Sequence, residues 1–253
     1  MISGIYWKRF KPQFTAKTLK NELNVKPASP KTAPKLKQGS MVLNWGMTSY
    51  PFWGDDFVFV NHPDAVAQAV NKIVTLTILR DHNIPTLIFS AKKKDVVSWL
   101  HKGKLAVART LTRASKGRGI KLIENDSDII NAPLYTRYYG KTTEFRIHCF
   151  GNKVIDRIQK KRKTGKEADN KIRTFANGWI FAHENVPVFN SIDEACCEAI
   201  SILNLQFGAV DVLANLTSDG HLKNFVICEV NTAPGLTSPT TLGKYINAIG
   251  NYS

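Results

Sequence analysis

The sequence predicts an α+β or α/β fold, with antiparallel sheets, flanking helices and a small α/β layer towards the N-terminus. Two observations lead to this prediction. Short strand and helix patterns alternate between residues 41 and 103, which is typical of an α/β layer. From residue 104 onward, apolar segments of strand length follow one another with turn residues between them, which favours antiparallel sheet.

Residues 1–39 differ in composition from the rest of the chain. They contain nine Lys or Arg residues and one Glu, and Pro27, Pro30 and Pro34 are interleaved with lysines. This composition predicts an extended basic arm and not a packed element. An arm of this kind is an expected contact for nucleic acid. We therefore expect the folded part of the chain to begin near residue 40.

The whole chain carries 35 basic and 20 acidic residues, a formal net charge of +15. This charge favours a polyanionic partner such as nucleic acid, an acidic protein or a phosphorylated metabolite. The alternative is a basic protein that holds an anionic nucleotide. No run of about 18 apolar residues, no signal-peptide pattern and no paired CxxC spacing is found. We expect a cytoplasmic protein without a membrane segment, a zinc site or a disulfide framework.

The short α/β domain is predicted over residues 40–103. The turn sequence Asn61-His62-Pro63-Asp64 predicts the start of a helix, because Pro and Asp suit the first helical turn. Val66, Val70, Ile73 and Thr77 then lie on one stripe of that helix. The remaining predicted elements are strands at 41–45, 57–60 and 86–90 and a short helix at 95–101.

A larger domain is predicted over residues 104–253, with a glycine-loop subdomain at about 104–133 and a second subdomain at about 134–253. Its helices are predicted at 191–203 and 240–249. Its strands are predicted at 105–110, 119–123, 133–139, 144–150, 153–159, 207–213 and 225–230.

Three oxygen-bearing side chains gather in this second subdomain. Glu229 and Asn231 are two residues apart at a strand end, so both project from the same face. The turn at 218–220 folds this strand back on the preceding one and places Asp211 almost opposite Glu229. Carboxylate and amide oxygens together with substrate phosphates are the ligands that Mg²⁺ prefers. The sequence therefore predicts a magnesium site at this strand pair.

The basic loop Ser115-Lys116-Gly117-Arg118-Gly119 lies between two predicted strands. Glycines allow a backbone to approach a phosphate, and the two cations supply positive charge. The loop lacks the GK[ST] ending of a Walker A motif. A plain hairpin turn is the alternative interpretation.

The order of these features resembles the ATP-grasp superfamily of carboxylate–amine ligases over about residues 41–250. The segment EVNTAPGLTS, residues 229–238, is similar to the closing metal motif of D-alanine–D-alanine ligases. The resemblance implies an ATP-grasp fold for residues 104–253. It also implies that Asp211, Glu229 and Asn231 hold two Mg²⁺ ions that bridge the phosphates of ATP.

The resemblance implies further contacts with ATP. A mobile flap over the triphosphate would be formed by residues 115–119. The residues implied for the nucleotide are Lys72 and Arg109 at the phosphates or adenine, Ser115, Gly117, Arg118 and Gly119 in the flap, Tyr135 and Thr136 beside adenine, and Glu144 at the ribose hydroxyls. The residues implied for catalysis, at the γ-phosphate or the acylphosphate, are Arg146 and Arg173. The alternatives are an ion pair between Glu144 and Arg146, and a solvated Arg173.

Two departures from the family pattern bear on function. Arg109-Thr110 stands where the family usually has Lys-Pro, and Ala209 stands where D-alanine–D-alanine ligases have an Arg. We therefore expect an ATP- and Mg²⁺-dependent ligase that joins a carboxylate to an amine through an acylphosphate. A substrate other than D-alanine is expected, and an acidic group on a protein or polyanion is compatible with the charge of the chain. The alternatives are a kinase of a polyanionic small molecule and a nucleic-acid-binding protein with a nucleotide-holding core. Related ligases are often dimers or tetramers, so an oligomer is compatible with the resemblance.

Overall fold

The computed structural model describes residues 1–7, 14–112, 119–165 and 167–252. The described helices are α1 (Phe14–Glu22), α2 (Pro63–Ala69), α3 (Lys72–Asp81), α4 (Lys93–His101), α5 (Asn190–Ile202) and α6 (Pro239–Gly250). The described strands are β1 (Ile2–Tyr6), β2 (Lys26–Ala28), β3 (Met41–Asn44), β4 (Val58–Val60), β5 (Phe89–Ser90), β6 (Ala106–Arg109), β7 (Ile120–Ile123), β8 (Leu134–Arg137), β9 (Thr143–Phe150), β10 (Lys153–Arg162), β11 (Trp179–Ala182), β12 (Phe207–Leu216) and β13 (Leu222–Asn231).

The N-terminal layer is a parallel sheet in the order β2-β1-β3-β4. β1 is an inner strand of this sheet, and four of its five residues are buried. Helix α1 buries Thr15, Ala16 and Leu19. The prediction of an extended arm over residues 1–39 is therefore wrong for the described part of that segment. The sheet also joins this segment to β3 and β4, beyond the boundary predicted near residue 40.

The composition of residues 1–39 hides this folded segment for a physical reason. A few apolar side chains reach the core, while the lysines of α1 and β2 remain at or near the surface. Pro27 lies in β2, which is an edge strand of the sheet, and an edge strand tolerates a residue that lacks a backbone N–H. High Lys and Pro content therefore did not exclude a sheet here.

The central sheet is antiparallel in the order β11-β10-β9-β12-β13. Helices α2, α3 and α5 cover one face of it with the largest hydrophobic core, to which Val66, Leu79 and Cys196 contribute. Helix α6 packs near β10 and contributes Tyr245 to a second core shared with the N-terminal layer. The strands predicted at 144–150, 153–159, 207–213 and 225–230 are all confirmed, and β11 was not predicted.

A third sheet, in the order β5-β8-β6-β7, is also antiparallel. Helix α4 packs on one face of it, where Val96 and Tyr135 lie in a small core. The strand predicted at 86–90 is shorter than expected, because only Phe89 and Ser90 pair with β8, while Thr86 forms an isolated parallel bridge to Ile227 of β13. This bridge ties the third sheet to the edge of the central sheet.

The helix predicted from residue 61 is divided into α2 and α3. The side chain of Asn71 accepts a hydrogen bond from the Ile73 backbone N–H at 3.2 Å, and so begins a new helix. As a result, Lys72 is the first residue of α3. No helix among the described residues has the length and apolar character needed to cross a membrane.

Candidate functional site

An open cleft with about 780 Å³ of free space lies between the third sheet and the central sheet. Nine cationic or carboxylate side chains line it, six of them cationic. The cations are Arg109, Arg137, Lys141, Lys160, Lys171 and Arg173, and the carboxylates are Glu144, Asp211 and Glu229. A cleft with this lining suits an anionic ligand.

The two central strands bring the predicted magnesium ligands together. Asp211 of β12 pairs directly with Glu229 of β13, as the turn between the strands predicted. Asn231, two residues further along β13, donates a hydrogen bond from Nδ2 to Oδ2 of Asp211 at 3.3 Å. The register shifts next to this pair, which leaves Cys228 without an opposite residue. The two carboxylates thus line one end of the cleft, and the amide group of Asn231 lies directly beside them.

Two cations hold these carboxylates in position. Arg146, opposite Asp211 on β9, donates from Nε to Oδ1 at 2.6 Å and from Nη2 to Oδ2 at 2.9 Å. Such a bidentate pair fixes both side chains. Lys72 donates from Nζ to Oε1 of Glu229 at 3.1 Å. The ion pair between Glu144 and Arg146 that the sequence left open is not formed, since each residue pairs with a different partner.

The local charges keep Asp211 ionised. Burial disfavours its charged form, but the charge and hydrogen bonds of Arg146 outweigh burial, and the pKa of the carboxyl lies below its ordinary value. Burial raises the pKa of the adjacent Cys228 thiol to about 12, so that thiol is neutral. Burial and then the charge of Arg146 lower the pKa of His148 to about 4, so its ring is neutral as well. The Cys228 thiol and the His148 ring therefore add no charge next to Asp211.

Glu144 lies on β9, two residues before Arg146, on the side of the cleft that the central sheet forms. Its Oε2 accepts a hydrogen bond from Lys160 Nζ at 2.7 Å, and its Oε1 lies 3.5 Å from Lys141 Nζ and 4.0 Å from Arg173 Nε. The Arg173 guanidinium stacks 4.2 Å from the centre of the Trp179 ring and is buried. The solvated Arg173 that the sequence left open is thus not observed, and Glu144 and Arg173 both line the cleft.

The third sheet supplies the opposite wall. Arg109 and Thr136 line the cleft, and Nε of Arg109 is buried without a hydrogen-bond partner among the described atoms. Tyr135 does not line it. Its fully buried ring lies under α4, where its hydroxyl donates to Ile130 O at 2.7 Å and accepts from Ala132 N at 3.0 Å. The Tyr135 side chain points away from the cleft, because successive strand residues point to opposite faces. The expected position of Tyr135 in the hinge beside adenine stays a prediction.

Of the predicted flap, Gly119 alone lies in the described chain. Its φ is +72°, and a Cβ there would lie 2.7 Å from Oγ1 of Thr110, so this position requires glycine. Its carbonyl accepts a hydrogen bond from Thr110 N at 2.8 Å, which closes the base of the loop. Ser115, Gly117 and Arg118 lie outside the described residues.

Two cleft residues, Lys141 and Lys160, are not among the residues that the sequence predicted for the site. The structure places Lys160 in β10, on the strand face that turns towards Glu144. Continuing the strand alternation beyond Ile158 would have found Lys160. No pattern in the sequence marked Lys141, because its position depends on how the loop after β8 meets Lys171, whose carbonyl accepts from Lys141 Nζ at 2.6 Å.

The donor set fits Mg²⁺ in type. Two paired carboxylates and one amide supply hard oxygen ligands beside a cleft that also holds six cations and a third carboxylate, Glu144. Among the described residues, no group of three or more His, Cys, Asp or Glu side chains is placed to hold a metal ion. A divalent cation here would thus need oxygen ligands from a bound phosphate as well, which is how proteins usually hold Mg²⁺.

A second cavity, with about 690 Å³ of free space, lies on the other side of Glu229. Gly46, which follows β3 of the N-terminal layer, lines it together with Lys72, Asn231 and Ala233. Gly46 has a φ of +79°, and a Cβ there would lie 2.6 Å from Cβ of Ala233. The carboxylate group at Glu229 therefore stands between two cavities.

Comparisons with known proteins complete this description. No family model and no curated protein sequence matches the chain. Among solved structures, the ATP-grasp ligase PsnB, complexed with a phosphomimetic variant of a minimal precursor, Mg and ADP, matches with a TM-score of 0.69 and 11% identity over 97% of this chain and 96% of that one.

Two further structures are similar over nearly their whole lengths. A D-alanine–D-alanine ligase from Bacillus anthracis matches with a TM-score of 0.67 and 16% identity over 99% of this chain and 92% of that one. The macrocyclase MdnC from Microcystis aeruginosa MRC, bound with the precursor peptide MdnA, matches with a TM-score of 0.63 and 13% identity over 100% of both chains. Mixed helices and antiparallel sheets in this arrangement, together with these likenesses, show that the chain has the ATP-grasp fold.

Proposed function

We propose that this protein is an ATP- and Mg²⁺-dependent ligase that joins a carboxylate to an amine through an acylphosphate. The observation that carries the proposal is the Asp211, Glu229 and Asn231 cluster at the junction of two cavities. The cationic cleft would take ATP, and the cavity beside Gly46 would take the acid. The ligases among the similar structures support this choice of reaction class.

The reaction has two displacement steps. A carboxylate oxygen of the acid attacks the γ-phosphorus of ATP, the bond to the β-phosphate oxygen breaks, and ADP leaves. The amine nitrogen then attacks the carbonyl carbon of the acylphosphate, inorganic phosphate leaves, and the nitrogen loses a proton to solvent. No protein nucleophile takes part, so catalysis depends on positioning and on charge stabilisation.

The residues of this chain would divide the work as follows. Asp211, Glu229 and Asn231 would hold Mg²⁺, two ions in our proposal, which neutralises charge on the phosphates when bound. Lys72, which lines the cavity beside Gly46, and Arg109, which lines the cleft, would contact the phosphates. The other proposed contacts are Tyr135 and Thr136 of β8 beside adenine, Glu144 at the ribose, Arg146 and Arg173 at the transferred phosphoryl group, and Ser115, Gly117, Arg118 and Gly119 in the flap.

The substrate is proposed to be an acidic peptide or protein segment. The formal net charge of the chain, +15, favours such a substrate, because a basic protein attracts an acidic partner. PsnB and MdnC, which share the fold, were each solved with a precursor or precursor peptide. Position 209, where a D-alanine ligase would have Arg, holds a buried Ala opposite Asn231, so a cation that could bind a free amino-acid carboxylate is missing there.

The test is ADP release, measured with panels of carboxylates and amines, in the presence of hydroxylamine. Hydroxylamine converts an acylphosphate to a hydroxamate, which mass spectrometry identifies. We expect a hydroxamate from the acid substrate, and no ADP release by Glu229→Gln at wild-type thermal stability. A stable phosphoester in place of the hydroxamate would show a kinase instead, and an unchanged rate in Glu229→Gln would contradict the assigned site.

A further inference from the structure

Two of the four cysteines meet on the face of the central sheet that α5 covers. Cys149 lies on β9 and is fully buried, and Cys197 lies on α5 and is partly buried. Their sulfur atoms are 3.9 Å apart, which is within hydrogen-bonding distance for two thiols. Because side chains alternate across a strand, Cys149 points to the face opposite that of Glu144 and Arg146. The thiol pair is therefore separate from the cleft.

A cation lies close to the Cys197 end of the pair. Cys197 follows Asp193 by four residues on α5, so the two side chains share one face of the helix. Asp193 forms a bidentate ion pair with Arg157 of β10, at 3.0 Å from Nε to Oδ1 and 2.5 Å from Nη2 to Oδ2. The Arg157 guanidinium thus adds positive charge beside a sulfur atom that solvent can reach.

The two thiols differ in acidity. The hydrogen bond with Cys149 lowers the pKa of the Cys197 thiol, and the charge of Arg157 acts in the same direction, while burial opposes both. The same hydrogen bond and then burial raise the pKa of the Cys149 thiol well above its ordinary value. A partly exposed, more acidic thiol beside a buried one is the arrangement of a reactive cysteine with a resolving partner.

We infer that Cys149 and Cys197 form a redox-active dithiol, which a hydroperoxide oxidises to a disulfide that links α5 to β9. Cys197 is the sulfur that the oxidant reaches, and Cys149 is the resolving thiol. A disulfide needs about 2.05 Å between its sulfur atoms, so the two atoms must approach by about 1.9 Å. Rotation about a Cα–Cβ bond moves a sulfur atom by a distance of this order. The inference does not depend on the proposed ligase function.

The oxidation proceeds in two displacement steps. The Cys197 thiolate attacks one oxygen of hydrogen peroxide, the O–O bond breaks, and the released hydroxide takes up the thiol proton to form water. Cys197 is then a sulfenic acid. The Cys149 sulfur attacks the Cys197 sulfur, the S–O bond breaks, and the leaving hydroxide takes the Cys149 proton as a second water. Two thiols and one peroxide thus give one disulfide and two waters, and the sulfur atoms supply both electrons.

The direct test is treatment of the full chain with a small excess of hydrogen peroxide. Free thiols are then alkylated in urea, and the unreduced peptides are identified by mass spectrometry. We expect one disulfide within the chain, between Cys149 and Cys197, with Cys196 and Cys228 alkylated and with full reversal by dithiothreitol. A disulfide that includes Cys196 or Cys228, a disulfide between two chains, or a Cys197 sulfinic acid without any disulfide would overturn the inference.

Three variants test the role of each group. Cys197→Ser should form no disulfide within the chain. Cys196→Ala is the matched control, because Cys196 is the neighbour of Cys197 on α5 but points about 100° away from it, and its disulfide yield should equal that of the wild type. Arg157→Gln should slow the alkylation of Cys197 by iodoacetamide severalfold, because a nearby cation favours the thiolate. Equal rates in Arg157→Gln and the wild type would contradict this role of Arg157. Peptide mapping of the wild type needs no variant, so the test does not depend on their folding.

Thermal unfolding gives a second measure of the disulfide. The bond would join residues 48 positions apart and would restrict the unfolded chain, so oxidation should raise the Tm by roughly 5–10 °C. This rise should be absent in Cys197→Ser and should be reversed by dithiothreitol. A lower Tm after oxidation would show that the native packing of α5 on β9 does not accommodate the bond, and would overturn the inference.

Discussion

Asp211 and Asp156 are two carboxylates on the same face of the central sheet, yet their surroundings differ. Asp156, on β10, is 1% exposed and accepts hydrogen bonds from Thr241 at 2.6 Å, Lys244 at 2.6 Å and His183 at 3.0 Å. Its partners come from α6 and the end of β11. Asp211 is 20% exposed, lies beside Glu229 and Asn231, and faces the cleft.

The comparison shows that a low carboxyl pKa alone does not identify a site. Burial opposes ionisation of both residues, and in both cases hydrogen-bonded cations outweigh burial and lower the pKa. Asp156 has its partners within the protein and joins three elements, which is a structural role. Asp211 has oxygen ligands as neighbours and an open side, which is what a metal–phosphate site needs.

The largest expected effect is a difference in ADP release between variants of Asp211 and Asp156. Asp211→Asn should lower ADP release by roughly 10²–10³-fold, because it removes charge from a residue proposed to hold Mg²⁺ at the phosphates. Asp156→Asn should release ADP at nearly the wild-type rate when assayed at a temperature where it is folded. Equal losses in the two variants would remove the distinction drawn between the two carboxylates.

For the free energy of unfolding we expect the opposite order, with the larger loss in Asp156→Asn. Asp156→Asn should lower the free energy of unfolding by roughly 2–4 kcal/mol, because hydrogen bonds to a buried charged group are lost. Asp211→Asn should cost less, because the cleft admits water to the group left behind. Urea denaturation of both variants measures this, and a larger loss for Asp211→Asn would contradict the structural role of Asp156.

Acid should remove the stabilisation that Asp156 provides. The folded pKa of Asp156 lies below its ordinary value, so its contribution is complete above about pH 5 and is lost as the pH falls through the folded pKa. The stability difference between the wild type and Asp156→Asn should thus be constant near neutrality and shrink below about pH 4. A stability difference between the two proteins that grows as the pH falls would contradict this prediction.

The smallest expected effect concerns neighbouring residues of β8. Tyr135→Phe loses the two hydrogen bonds of its hydroxyl and should lower stability by about 1–2 kcal/mol without changing the KM for ATP. Thr136→Leu, which alters the cleft wall, should raise that KM. If Tyr135→Phe raised the KM instead, the assignment of the two faces of β8 would be incorrect.

The parts of the site that follow from local patterns could be predicted from the sequence. The pairing of Asp211 with Glu229 depends on one turn and on strand alternation, both of which can be read over some twenty residues. The Asp156 network could not be predicted in this way, because Thr241 and Lys244 approach it from 85 and 88 residues away. A contact of that kind depends on how α6 crosses β10.

The average composition of residues 1–39 led to a wrong prediction, because a small number of residues determine the structure of that segment. β1 and α1 are held by a handful of buried apolar side chains within a Lys- and Pro-rich segment, so the average over residues 1–39 predicted an arm. Strand alternation adds a detail at β8 that the order of family features does not give: of Tyr135 and Thr136, only Thr136 has its side chain in the cleft.

The most direct test of the account is calorimetric titration of AMP-PNP, with and without Mg²⁺, into the wild type and Glu229→Gln. The account predicts that Mg²⁺ tightens binding at least about tenfold in the wild type, and that this gain is lost in Glu229→Gln while the protein stays folded. Nucleotide binding that neither Mg²⁺ nor the substitution changes would contradict the claim that Asp211, Glu229 and Asn231 form the magnesium–phosphate site.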